Sequence, residues 1–224
     1  MIHYHCADIN PNDRLFDLAG RNLLVSHAYP RAVRLAHEIA QTVLLDNGAF
    51  SAWRSGKKTD WRGYYDWCDE WLACATTWAI IPDVIDGLPA EQDRLLGEWP
   101  HGERGAPVWH LAEPIGRLER LAGEWPRVCL GSSGVYATIG DDRWHRRMTE
   151  ALNILARKGR LPWLHGLRMQ GVGHLYPFGS VDSADIARNN NRPQNSILKL
   201  AERWDRVQPR IGWTALPIQQ ELIA

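Results

Sequence analysis

The chain of 224 residues has no net charge, 26 basic residues balancing 26 acidic ones, so it lacks the positive excess that marks many nucleic-acid binders. Any contact with a polyanion must come from basic groups gathered on one face. Its apolar runs are too short to span a bilayer, and the N-terminus Met1-Ile2-His3-Tyr4-His5 has no basic region followed by an apolar stretch. A cytoplasmic location with no membrane partner is the expectation. Cysteine is sparse: Cys6, Cys68, Cys74 and Cys129 are scattered without a Cys-x-x-Cys pair, which argues against a disulfide framework and a cysteine zinc knuckle. Lysine is restricted to Lys57, Lys58, Lys158 and Lys199. The other basic residues are arginines, whose planar fork suits phosphate and base edges, although GC-rich coding produces the same bias.

What is present is ordinary for a globular protein, with 45% hydrophobic and 23% charged residues and enough length for one sizeable core. Twelve tryptophans are many for this length; most are expected in the core, with a few free to stack on bases. Strand-like runs lie at Ile2 to Cys6, Asn22 to Ser26, Thr42 to Asp46, Thr77 to Asp83, Pro107 to Leu111, Arg127 to Gly131, Trp163 to Met169 and Gly179 to Ser183. Helix-period segments separate most of them, among them Arg31 to Gln41, Trp61 to Ala73, Ala90 to Trp99 and Asp141 to Lys158, and Gln194 to Arg206 comes after the last. Eight alternating units predict an α/β fold, a compact (β/α)8 TIM-type barrel, as a single catalytic domain over 1–224 with 207–224 as a C-terminal tail. Gly171, Gly173 and Pro177 disfavour a helix between Gln170 and Phe178.

Such a barrel gathers its C-terminal strand ends at one mouth, the usual place of catalysis. Those ends carry Ser26-His27, Asp46-Asn47, Asp83, His110, Gly131-Ser132-Ser133-Gly134, Met169-Gln170-Gly171 and Asp182-Ser183. Acids and glycines after strands are also common turn formers, so it is their joint occurrence that carries weight. Asp46 closes the apolar run Val43-Leu44-Leu45, and Asp182 stands near the end of a second strand-like run, Gly179-Ser180-Val181-Asp182-Ser183. Paired carboxylates that divide nucleophilic and acid/base work are a recurrent means of breaking the bond at a sugar's anomeric carbon.

Asp46-Asn47-Gly48-Ala49-Phe50-Ser51 resembles the Asp-Ser-Gly-Gly-Phe-Gln motif of tRNA-guanine transglycosylases, and more closely its version in phage and bacterial DNA deazapurine transglycosylases. Val181-Asp182-Ser183, with Arg188 six residues after the acid, resembles that family's Phe-Asp-Cys-Val-Leu-Pro-Thr-Arg segment. Met169-Gln170-Gly171-Val172-Gly173 is similar to its Leu-Met-Gly-Val-Gly strand end. The likeness runs from Leu44 to Arg188. The tRNA enzymes' C-terminal Cys-x-Cys-x-x-Cys zinc element has no counterpart here, which makes the DNA-acting relatives the better match.

The resemblance implies replacement of guanine in DNA by a 7-deazaguanine base, with no cofactor or metal, in the host cytoplasm if the chain is phage-encoded. Asp182 is then the nucleophile at C1′, and Asp46 handles the proton on the departing and incoming bases. Asp83 offers an acceptor to guanine N1 and its exocyclic amine, and the turn Gly131-Ser132 offers donors to O6. Asn47 and Gly171 join the substrate-binding set through their motifs; Phe50, Trp53 or Tyr176 would stack on the base, and Arg188 and Arg168 would meet phosphate. The target guanine must be flipped out or single-stranded. A homodimer or an accessory protein is left open as a further partner.

Three other classes stand beside this reading. His3-x-His5 with His110, His165 and Asp182 imitates the metal set of amidohydrolase barrels. A non-catalytic subunit on the same fold is the second. The third is an N-glycosidase or deoxyribosyltransferase using the same carboxylates on free nucleosides.

Overall fold

A computed structural model of the chain describes residues 1–159, 161–209 and 212–215. Its strands are β1 (Ile2–Cys6), β2 (Asn22–Ser26), β3 (Thr42–Asp46), β4 (Thr77–Ile80), β5 (Gly105–Ala106), β6 (Val108–His110), β7 (Arg127–Gly131), β8 (Trp163–Gly166) and β9 (Ser180–Ser183). All neighbouring pairs are parallel, in the order β5-β4-β3-β2-β1-β9-β8-β7-β6.

The two ends of that order belong to one stretch of chain interrupted at Pro107. Its first half pairs with β4 and its second with β7. Proline has no N–H for a ladder, and here its carbonyl accepts from the Cys129 N–H at 2.8 Å, so the segment changes partners at this residue. The result is an α/β fold, a nearly closed TIM-type barrel flanked by helices, in which the strand expected over Pro107 to Leu111 is the shorter β6, preceded by a second short strand, β5, that the expectation did not include. The runs expected to reach Asp83 and Met169 end earlier, at Ile80 and Gly166.

Parallel strands buried on both faces read as continuous apolar runs, and β3 does so with Val43, Leu44 and Leu45 all buried. Alternation sends Tyr4, Leu24, Leu44, Trp78, Ile80, Val108 and Cys129 into the barrel and their neighbours outward against the helices.

The helices are α1 (Val33–Ile39), α2 (Ala49–Ser55), α3 (Trp61–Trp71), α4 (Pro89–Glu98), α5 (Ile115–Glu124), α6 (Asp142–Arg157), α7 (Asp185–Asn189) and α8 (Ile197–Asp205). The long α6 begins where Asp141 accepts from the Trp144 N–H at 2.7 Å, and it buries Trp144, Met148, Ala151, Leu152 and Leu155. Between β8 and β9 only a 3-10 turn, Gly173–Leu175, replaces the helix.

Of the expected tail, residues 210–211 and 216–224 lie outside the described residues. Within its described part, Trp213 lies over Tyr176 and donates its indole N–H to Asn153 at 3.0 Å. Among the described residues no helix is long and apolar enough to cross a membrane.

Candidate active site

A pocket of about 590 Å³ opens at the C-terminal mouth, with Asp46, Asp182, Ser26, Phe50, Arg168 and Arg188 in its wall. Its volume suits a small ligand. Asp46 shares the inward face of β3 with Leu44, and Asp182 shares that of β9 with Ser180, so the fold delivers both carboxylates to one floor.

Burial pushes the Asp46 carboxyl up to about 6, against hydrogen bonds from Ser26 and the Gly48 N–H, with the Asp83 charge adding to the rise. Burial likewise pushes Asp182 up to about 7; the Arg168 N–H opposes this and the Asp46 charge reinforces it. Between those values the pair carries a single proton.

The motif Asp46-Asn47-Gly48 has a local reason for each residue. Gly48 sits at φ +77°, and a Cβ there would lie 3.1 Å from the Ala28 nitrogen. Its N–H donates to Asp46 Oδ2 at 3.2 Å. Asn47 accepts from the Ala49 N–H at 2.8 Å, fixing the start of α2, and donates to the Ile81 carbonyl at 2.9 Å and to Asp83 Oδ1 at 2.7 Å.

Asp83 in turn meets His110 Nε2 through Oδ2 at 2.8 Å. Burial alone would lower the His110 pKa, but the Asp83 carboxylate outweighs it and the net direction is upward. Gly131 makes room for that ring, since a Cβ would stand 2.7 Å from His110 Nδ1. Asn47, Asp83 and His110 thus form a buried row across the barrel, and both Asp83 oxygens are engaged by protein groups. None of the three, and neither Gly131 nor Ser132, lines the pocket that holds Asp46 and Asp182.

Arg168 ties the two sides of the mouth together. Its backbone is left-handed at φ +61°, a strained conformation for a residue with a Cβ. That geometry aims its N–H at Asp182 Oδ1, 2.5 Å away. Its guanidinium lies 4.0 Å from the Phe50 ring centroid and donates to the Ser132 carbonyl at 3.0 Å. Ser132 Oγ accepts from the Trp144 indole at 2.8 Å. Below Asp182, His165 is fully buried, and burial lowers its pKa to about 3, which keeps it neutral. Its Nε2 is 3.8 Å from Asp182 Oδ1, beyond hydrogen-bond reach.

Three expectations need correction. Tyr176 is buried against Trp144 and Phe178 in the outer core, with its hydroxyl on His145, so it offers no face to a ligand at the mouth. Gly171 is exposed and lies outside the pocket, because β8 ends at Gly166 and the chain turns away beyond Arg168; the next residue inward, Gln170, meets the outward-facing His3. The histidine set does not converge either. His3 and His5 point into the helix layer, where they bond Val207 O at 2.7 Å and Asp205 at 2.9 Å, whereas His110 and His165 face the barrel interior.

Trp53 lines a separate, smaller pocket, while Arg188 stands on the rim of the main one. The wall also contains Asp8, Tyr29 and Arg54, which the sequence reading passed over. Asp8 comes just after β1 much as Asp46 ends β3, and that shared pattern was the available signal. Compared with protein-family models, curated proteins and solved structures, the chain shows no significant match.

Proposed function

We propose that the chain is a base-exchange glycosyltransferase that replaces guanine in DNA with a 7-deazaguanine derivative through an aspartyl glycosyl-enzyme. The observation that carries the reading is the pair Asp46 and Asp182 on one pocket floor, both raised toward neutrality and able to hold one proton between them. A displacement at an anomeric carbon needs one carboxylate to attack and one carboxylic acid to protonate the leaving group; Asp182, whose carboxyl is raised further than that of Asp46, must therefore pass its proton to Asp46 before it attacks.

Asp182 is the nucleophile because the Arg168 N–H holds one of its oxygens and leaves the other to face C1′. Its oxygen bonds to C1′ as the bond to guanine nitrogen breaks, and Asp46 gives its proton to the departing base. In the return step Asp46 takes the proton from the incoming 7-deazaguanine base. The base nitrogen then attacks C1′ and Asp182 is released. The Phe50 ring, with the Arg168 guanidinium over it, stands in the wall beside the floor, and the exposed Arg54 and Arg188 supply rim cations that have no acidic partner among the described residues.

Mass spectrometry of nucleosides from DNA incubated with the protein and a set of 7-deazaguanine bases tests this reading. The expected product is a deazaguanosine nucleoside with matching release of guanine; unchanged DNA with every base would overturn it.

A further inference from the structure

We propose that the smaller pocket beside the main one is a subsite for the nucleotide next to the target, its base stacking on Trp53 and its phosphate meeting Lys57 and Lys58. The inference rests on the base-exchange reading and deepens it: the substrate is a single-stranded polynucleotide, not a free nucleoside.

This pocket, about 360 Å³, is lined by Trp53, Lys57, Lys58, Thr59 and Trp61, together with Asp83, whose two carboxylate oxygens are engaged by Asn47 and His110. Helix α2 is the wall between the two pockets. Phe50 and Arg54 face the catalytic side, while Ala49 and Trp53 face the smaller pocket. The Phe50 and Trp53 rings stack with centroids 5.8 Å apart and planes inclined by 30°. They form an aromatic wedge between the two spaces, the arrangement needed to hold neighbouring bases apart while one is turned toward Asp182.

Trp53 is 52% exposed, so most of its indole is open to a planar partner. The end of α2 positions the two lysines. Gly56 closes the helix at φ +64°, and the Lys57 N–H bonds back to the Ala52 carbonyl at 2.9 Å, setting both side chains beside the indole. They are half of the chain's four lysines, both are exposed, and neither has an acidic partner among the described residues. Two unpaired ammonium groups next to an open indole match a base together with its phosphate.

Fluorescence anisotropy of a labelled oligothymidylate carrying one central guanine, titrated at a series of salt concentrations, tests the subsite. Trp53→Ala should weaken binding by about five- to a hundredfold, the range for one base stacked on an aromatic side chain, and Trp53→Tyr should restore most of it. Lys57→Gln with Lys58→Gln should reduce the slope of log affinity against log salt by about 0.7, the contribution of one phosphate on a single strand. Wild-type affinity in Trp53→Ala, an unchanged salt slope in the lysine variant, or no binding by the wild type would each overturn the subsite. Trp53-dependent binding without any release of guanine would sink base exchange and leave the subsite standing.

Discussion

Replacing Asp182 with Asn should stabilise the folded protein at pH 8 and change little near pH 4. Burial raises this carboxyl from its ordinary 3.8 to about 7, so the folded state keeps a proton that the unfolded chain has already released. The stability associated with that proton is fully present below the unfolded pKa and is lost as pH rises through the folded one. Three pKa units correspond to at most about 4 kcal/mol at pH 8. An amide of the same shape carries no charge to desolvate, and its oxygen still accepts from the Arg168 N–H. For a domain of this size a gain of that order raises Tm on the order of 10 °C. Asp46→Asn acts in the same direction with a smaller gain, and because the two charges interact the double variant should gain less than the sum. Thermal unfolding monitored by circular dichroism at pH 4.5 and pH 8 provides the comparison. Equal Tm differences at both pH values, or an Asp182→Asn protein less stable than wild type at pH 8, would refute the assignment of a buried, charge-destabilised carboxyl.

Base exchange should show a bell-shaped pH profile with its maximum between about 6 and about 7, because activity needs the singly protonated pair; a rate still climbing at pH 9 would contradict this. Gly48→Ala should cost about 1–2 kcal/mol in urea unfolding, since φ is +77° and the new methyl meets the Ala28 nitrogen at 3.1 Å; an unchanged midpoint would count against that geometry. His5→Gln should retain exchange, as His5 bonds Asp205 in the helix layer; loss of activity with rescue by added zinc would revive the hydrolase reading.

β2, β3 and β7, each with an apolar triplet at its centre, have the expected bounds, as does β1, whose centre is His3-Tyr4-His5. Segments that depend on long-range partners were less legible. Pro107 splits a strand because its two halves find different neighbours, and neither neighbour is visible in the local sequence. Ala49-Phe50-Ser51-Ala52-Trp53-Arg54-Ser55 has no single apolar face, because α2 divides two pockets instead of covering a core.

The site divides in the same way. Asp46 and Asp182 could be found from the acid near the C-terminal end of each strand-like run. Asp83 comes after a strand too, yet it turns aside to Asn47 and His110, a choice set by tertiary packing. His3 and His5 alternate with Tyr4 on a strand buried on both faces, so the sequence carried no sign of which set points inward. The role of Arg168 lies largely in its main chain, whose left-handed turn no side-chain pattern announces.

The most direct test of the central claim is capture of a covalent DNA adduct on denaturing gels with guanine-containing oligonucleotides. Asp46→Asn should still form some glycosyl-enzyme, because Asp182 can attack, whereas Asp182→Asn should form none, because the attacking oxygen anion is gone. Adduct with Asp182→Asn but never with Asp46→Asn would reverse the two roles, and no adduct with the wild type or either variant would contradict the covalent route altogether.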